Sequence, residues 1–171
     1  MNRRSMLNIS ISALTVLGLA LLPSSAADAA KSKVNKKQLV GSWALVSASA
    51  PSPDVQPFGS NDGFVVFEAN GRFSLQLVLS GLPKFASNNR AKGTAEENKA
   101  VVQGSIGYFG TYALDAADGT LTLHIERSTF PNWNGLDQKR LITSLTADEL
   151  KYTNPAASVG GTAELVWKRV K

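Results

Sequence analysis

The chain has 171 residues, a formal net charge of +5, one histidine and no cysteine. Without cysteine there is neither a disulfide nor a thiol to carry a lipid anchor, and one histidine cannot complete the nitrogen and sulfur set of an ordinary zinc site. The positive charge is mild and comes without the basic stripe interleaved with aromatics that marks a nucleic-acid binder, so that partner class is set aside.

Residues 1–29 read as a signal peptide: Arg3 and Arg4 supply a basic start, Ile9–Leu22 an apolar middle closed by Pro23, and Ala27 with Ala29 a small-residue exit. Ser24 with Ala26 offers a second exit. The apolar run is about fourteen residues, too short for a permanent membrane-spanning helix. Arg3-Arg4-Ser5-Met6-Leu7 also fits the twin-arginine pattern for exporting folded proteins, although any signal peptide needs a basic start. The expectation is a periplasmic or secreted protein with no stable membrane anchor after cleavage. Residues 30–38, with Lys31, Lys33, Lys36 and Lys37, follow as a flexible basic segment, and residues 39–171 form one domain.

From Leu39 onward, short runs rich in β-branched and aromatic residues alternate with turn signals, the pattern of an all-β barrel or sandwich. Leu39 to Ala48 is the first strand, ended by the Pro-rich stretch 51–62. Phe64 to Ala69 and Arg72 to Leu79 form a hairpin around Asn70-Gly71, where both residues tolerate positive φ. A long excursion from Gly81 to Asn98 follows, and Thr94-Ala95-Glu96-Glu97 matches a capping box opening a short helix through Val102. A loop of that length is usually a lid or an insert. Ser105 to Leu114, Thr120 to Arg127, Gln138 to Leu145, Glu149 to Thr153 and Thr162 to Val170 complete eight strands, with tight turns at Asp118-Gly119 and Thr146 to Asp148. Short connections favour an eight-stranded antiparallel up-and-down barrel over a sandwich, because closure removes sheet edges and leaves room for one small ligand.

Gly41-Ser42-Trp43, with Trp167 and Arg169 in the last strand, resembles the Gly-x-Trp signature of lipocalins, in which a basic side chain lies across the Trp at one barrel end. Asn70-Gly71-Arg72 through Gln76, Gly107-Tyr108-Phe109-Gly110-Thr111-Tyr112, His124-x-Glu126, Phe130-Pro131-Asn132-Trp133 and Gln138-x-Arg140 resemble the bacterial and fungal lipocalin-like domain group. That resemblance implies a barrel with a pocket and carries across no reaction, substrate or cofactor.

Alternation divides the strands into apolar and polar faces. Leu121, Leu123 and Ile125 oppose Thr120, Thr122, His124 and Glu126, while Phe73, Leu75, Leu77 and Leu79 oppose Arg72, Ser74, Gln76 and Val78. The plain reading turns the apolar faces inward. The sharper one gathers Arg72, Gln76, His124, Glu126, Gln138 and Arg140 on a polar inner face with Tyr108 or Tyr112, where these groups can satisfy one another. The apolar strips would then be covered by the lid, by the Pro-rich loop or by the second subunit of a homodimer. Phe130 to Gly135 suggests a shaped loop at the barrel mouth, with Trp133 and Phe130 capping an apolar ligand and Asn132 fixing its polar end, or else a staple holding the loop down.

Gly-x-Ser-x-Gly, dinucleotide and Walker motifs are absent, and haem on His124 alone has no further support, so no cofactor is expected. Two functions remain open. One is a carrier holding a small, partly apolar molecule; the other is an isomerase, cyclase or hydratase using His124 and Glu126 as acid and base.

Overall fold

Which face of each strand curls inward follows from where burial of apolar surface is greatest, and along β3 (Arg72–Val78) this is unambiguous: Phe73, Leu75 and Leu77 are buried and the residues between them exposed. In the computed structural model, which describes residues 34–50 and 52–171, β1 (Gly41–Ala48), β2 (Gly63–Phe67), β3, β4 (Ser105–Asp115), β5 (Thr120–Ser128), β6 (Asp137–Leu145), β7 (Glu149–Asn154) and β8 (Ala163–Arg169) close in chain order into an antiparallel barrel. Each strand begins and ends within two residues of its expected limits. The expected signal peptide and residues 30–33 lie outside the described residues.

Where a flexible segment was expected, Lys36–Leu39 instead form a short helix, α1, because Asn35 caps it through Lys37 N at 2.9 Å and Leu39 is fully buried. The first strand therefore starts at Gly41. Trp43 is also fully buried and donates from Nε1 to the Leu39 carbonyl at 2.9 Å. The Arg169 guanidinium lies over the indole at 4.0 Å and donates to the carbonyls of Gln38, Val40 and Ala147, so one side chain ties the helix, the first strand and a turn together. The expected plug is present.

The two ends of the barrel are finished differently. Connections 68–71, 116–119 and 146–148 are tight turns at the plugged end, whereas the longer connections 49–62, 79–104, 129–136 and 155–162 all lie at the other end, the mouth. The expected helix is there as α2 (Ala95–Gly104), with Thr94 and Glu97 forming a complete capping box. The same Glu97 carboxylate accepts from Ala86 N at 2.8 Å and folds the excursion onto its own helix. Asp62 joins two mouth loops, accepting from Gly59 N at 2.8 Å and Ser80 N at 2.9 Å. These bonds, Gly59 first, hold its carboxyl below the usual aspartate range against an opposing desolvation.

One bulge matters for the site. Between Phe109 and Gly110 the register of β4 against β5 shifts, and Gly110 sits so tightly on β5 that a Cβ there would collide with the His124 carbonyl oxygen.

Candidate functional site

Pairing register sorts the candidate residues, because residues directly opposite on neighbouring strands share a face. Arg140 lies opposite the fully buried Leu121, and Gln138 opposite the buried Leu123. Both therefore face inward, while Leu141 between the same strands is turned out and 45% exposed. Tyr108 lies opposite the buried Leu75, and Tyr112 opposite the buried Leu123, so both tyrosines also point in.

The remaining polar candidates do not join them. Arg72, Gln76 and His124 are exposed on the outer wall and Glu126 is partly exposed there, since Phe73, Leu75, Leu77, Leu121, Leu123 and Ile125 occupy the inner positions of β3 and β5. Glu126 accepts two bonds from Arg72, at 2.6 and 3.1 Å, and His124 Nδ1 pairs with Asp137 at 2.8 Å. The expected single polar inner face is thus corrected: leucine, isoleucine and phenylalanine gain more from burial than any of these polar groups, and strand alternation then forces the polar set outward. With both Glu126 oxygens held by Arg72, the acid/base pair reading loses its geometric ground. Gln76 borders a groove of about 490 Å³ on this outer wall, running between β3, β4 and the end of β5.

Tyr112 belongs to the plugged end. Its hydroxyl donates to the Glu68 carbonyl at 2.8 Å, its ring packs edge-on against Phe67 at 5.2 Å, and burial pushes its phenol pKa up.

Tyr108, Trp133 and Arg140 meet beneath the mouth. Pro131–Trp133 form one 3₁₀ turn that drops the Trp133 indole inside, edge-on to Tyr108 at 5.3 Å and to Phe130 at 5.8 Å, while Asn132 stays exposed. The loop is pinned by Asn134, whose side chain accepts from Ser128 N at 2.8 Å, and by the Gly135 N to Ile125 O bond at 2.7 Å. Below the indole, at 5.8 Å, sits the Arg140 guanidinium. Arg140 is 1% exposed and donates to the Lys139 carbonyl at 2.7 Å and to the Tyr108 hydroxyl at 3.3 Å. Among the described residues no carboxylate lies within ion-pair distance of it.

Two residues of this cluster were not among the candidates. Tyr152 and Trp167 are buried with tilted rings 6.2 Å apart, and the Tyr152 hydroxyl faces both Arg140 and Trp167. Burial drives the Tyr152 phenol pKa far up, so it stays a neutral hydroxyl. Trp167 Nε1 is buried and makes no well-formed hydrogen bond, the Tyr152 hydroxyl being the acceptor that faces it. The alternation Leu150, Tyr152, Asn154 along β7 was the available signal.

The mouth itself holds a groove of about 450 Å³ between the connections 49–62, 79–104 and 155–162, bordered by Val55, Leu79, Leu82, Pro83, Ala100 and Val159 with Asp54, Gln56 and Gln103.

Residues 40–170 match the lipocalin-like domain. The chain belongs to that family. Among solved structures this lipocalin-like domain is similar to a lipocalin-like protein from Bacteroides uniformis ATCC 8492, at 15% identity and a TM-score of 0.44, covering 78% of this chain and 99% of that one. It is also similar to a redesigned β-barrel, at 15% identity and a TM-score of 0.44, covering 79% and 94%. No curated protein matches it.

Proposed function

We propose that this lipocalin-like domain is exported and binds a small, partly apolar molecule at the mouth of its barrel. The observation that carries the reading is the unequal finish of the two ends: every long connection lies at the mouth, three of them enclosing a groove of mixed apolar and polar lining, while the other end is stapled shut. Apolar lining favours an apolar body, and the side chains of Asp54, Gln56 and Gln103 can orient a polar part. Nothing in the arrangement calls for turnover, so a carrier fits better than an enzyme. Export rests on the basic, apolar and small-residue order of the first 29 residues.

The test uses N-phenyl-1-naphthylamine, an uncharged fluorescent probe, titrated into the folded mature protein, alongside mass spectrometry of small molecules released from protein purified from its native host. Saturable binding with one site, weakened by Leu82→Asp in the groove, supports the reading. No saturable binding together with no retained compound overturns it.

A further inference from the structure

The barrel interior holds a cation whose partners are neutral: the Lys139 carbonyl and the hydroxyls of Tyr108 and Tyr152. Arg140 carries a full charge at 1% exposure, yet among the described residues no carboxylate reaches it. Trp167 Nε1 is buried with only the Tyr152 hydroxyl facing it, short of a well-formed hydrogen bond. Between them stand the hydroxyls of Tyr108 and Tyr152, whose oxygens face the Arg140 and Trp167 donors and whose protons can be donated onward to an anion. A buried cation without a counter-ion is costly, because the desolvation of the guanidinium is met only by neutral dipoles and an aromatic face. Packing alone would be served as well by a methionine of similar volume.

We infer that the ligand of this domain is a carboxylate with an apolar body, whose anionic end enters the barrel and pairs with Arg140, assisted by the hydroxyls of Tyr108 and Tyr152. The inference rests on the mouth-binding reading and adds the chemical class of the ligand. A planar guanidinium matches a carboxylate with two parallel donors, which is the geometry Arg provides and Lys does not. Access decides how the acid arrives. Of the aromatic rings around Arg140, Trp133 is the one supplied by a mouth connection and not by a strand, and it covers the guanidinium at 5.8 Å. The carboxylate reaches Arg140 by displacing that indole, and the Trp133 ring then moves toward the mouth.

The experiment displaces bound N-phenyl-1-naphthylamine with decanoate, decanol and decylamine, three probes with one apolar body and different ends. Decanoate is expected to compete at least tenfold better than decanol, with decylamine weakest. That preference disappears in Arg140→Met and falls several-fold in Tyr152→Phe, which removes one hydroxyl and serves if the first variant does not fold by circular dichroism. Decanoate also changes tryptophan emission in wild type and does so far less in Trp133→Phe, where Trp43 and Trp167 remain. Equal competition by acid and alcohol, or an acid preference that survives in both folded Arg140→Met and Tyr152→Phe, overturns the inference while leaving the mouth site standing. Failure of the naphthylamine to bind at all removes the mouth site, and this inference with it.

Discussion

Replacing Trp43 by Ala tests whether the plugged end holds the barrel together. The indole is fully buried, so its removal costs about 3 to 5 kcal/mol through lost transfer energy and the cavity left behind. The Leu39 carbonyl then also loses the Nε1 donor at 2.9 Å, which places the change at the upper part of that range. Arg169→Ala removes the guanidinium from the ring face and three donations to the carbonyls of Gln38, Val40 and Ala147, worth roughly 2 to 4 kcal/mol together once solvent access to two of those bonds is counted. The two effects are not additive. A ring and a cation 4.0 Å apart couple by about 1 kcal/mol, so the double variant loses less than the sum of the singles by that amount. Urea unfolding followed by circular dichroism gives each value, provided the slope of stability against urea stays constant across the series. A Trp43→Ala cost below about 1 kcal/mol would refute the plug, since no buried indole is that cheap to remove. Coupling indistinguishable from zero would refute the ring–guanidinium contact while sparing the burial.

Gly110→Ala should be among the most destabilising methyl additions in the barrel, costing about 3 kcal/mol or more as the new Cβ meets the His124 carbonyl oxygen, and a thermal melt within a degree of wild type would show that the β4–β5 bulge is not as drawn. The Asp62 carboxyl is held below its ordinary pKa, so the stability it contributes is present above the usual aspartate range and fades as pH falls through its lowered folded value. Asp62→Asn should therefore flatten the acid side of the stability profile and raise amide exchange at Gly59 and Ser80; an unchanged acid limb speaks against the tie between the two loops. His124→Ala, on the outer wall, should change stability by no more than about 1 kcal/mol and leave naphthylamine binding untouched, whereas lost binding would return the site to the outer face. Export predicts a mature N-terminus at Ala30 or Ala27 in the periplasmic fraction, read by N-terminal sequencing, and Arg3→Lys with Arg4→Lys abolishes export by the twin-arginine route alone.

The strands were legible because each is short, alternating and bounded by turn residues, and the Asn70-Gly71 hairpin and the Thr94 to Glu97 cap are local signals that need no partner. The candidate site was legible only in part. Tyr108, Trp133 and Arg140 come together as a cluster, but the alternation of β3 and β5 already favoured an inward apolar face, and weighing the polar residues as a group ran against it. On β6 the local pattern alone reads Gln138 and Arg140 as solvent-facing and Leu141 as core; grouping the polar residues puts the first two inside, and the pairing with Leu121 and Leu123 on β5 is the physical reason they are there. Register between strands is a non-local property, set by turns and bulges on either side, so a buried arginine of this kind leaves no mark in its own strand. Tyr152 and Trp167 escaped for a simpler reason, since aromatic residues at inward positions read as ordinary core until a charge is found beside them.

Pairing of β1 with β8 completes the cylinder, joining residues near opposite ends of the domain, from Trp43 against Arg169 to Ala48 against Leu165. Contacts of such long range form late in folding, because the loop entropy of the whole intervening chain has to be spent first. A nascent chain therefore carries two unpaired strand edges until residue 169 has emerged, and an edge of that kind recruits other chains. For a chain exported as proposed, the timing of synthesis bears directly on the route. A pathway that moves finished molecules would receive the sheet already sealed, while one that threads an extended chain would have to keep β1 unpaired until β8 arrived on the far side, which would be work for a holding chaperone on both faces of the membrane.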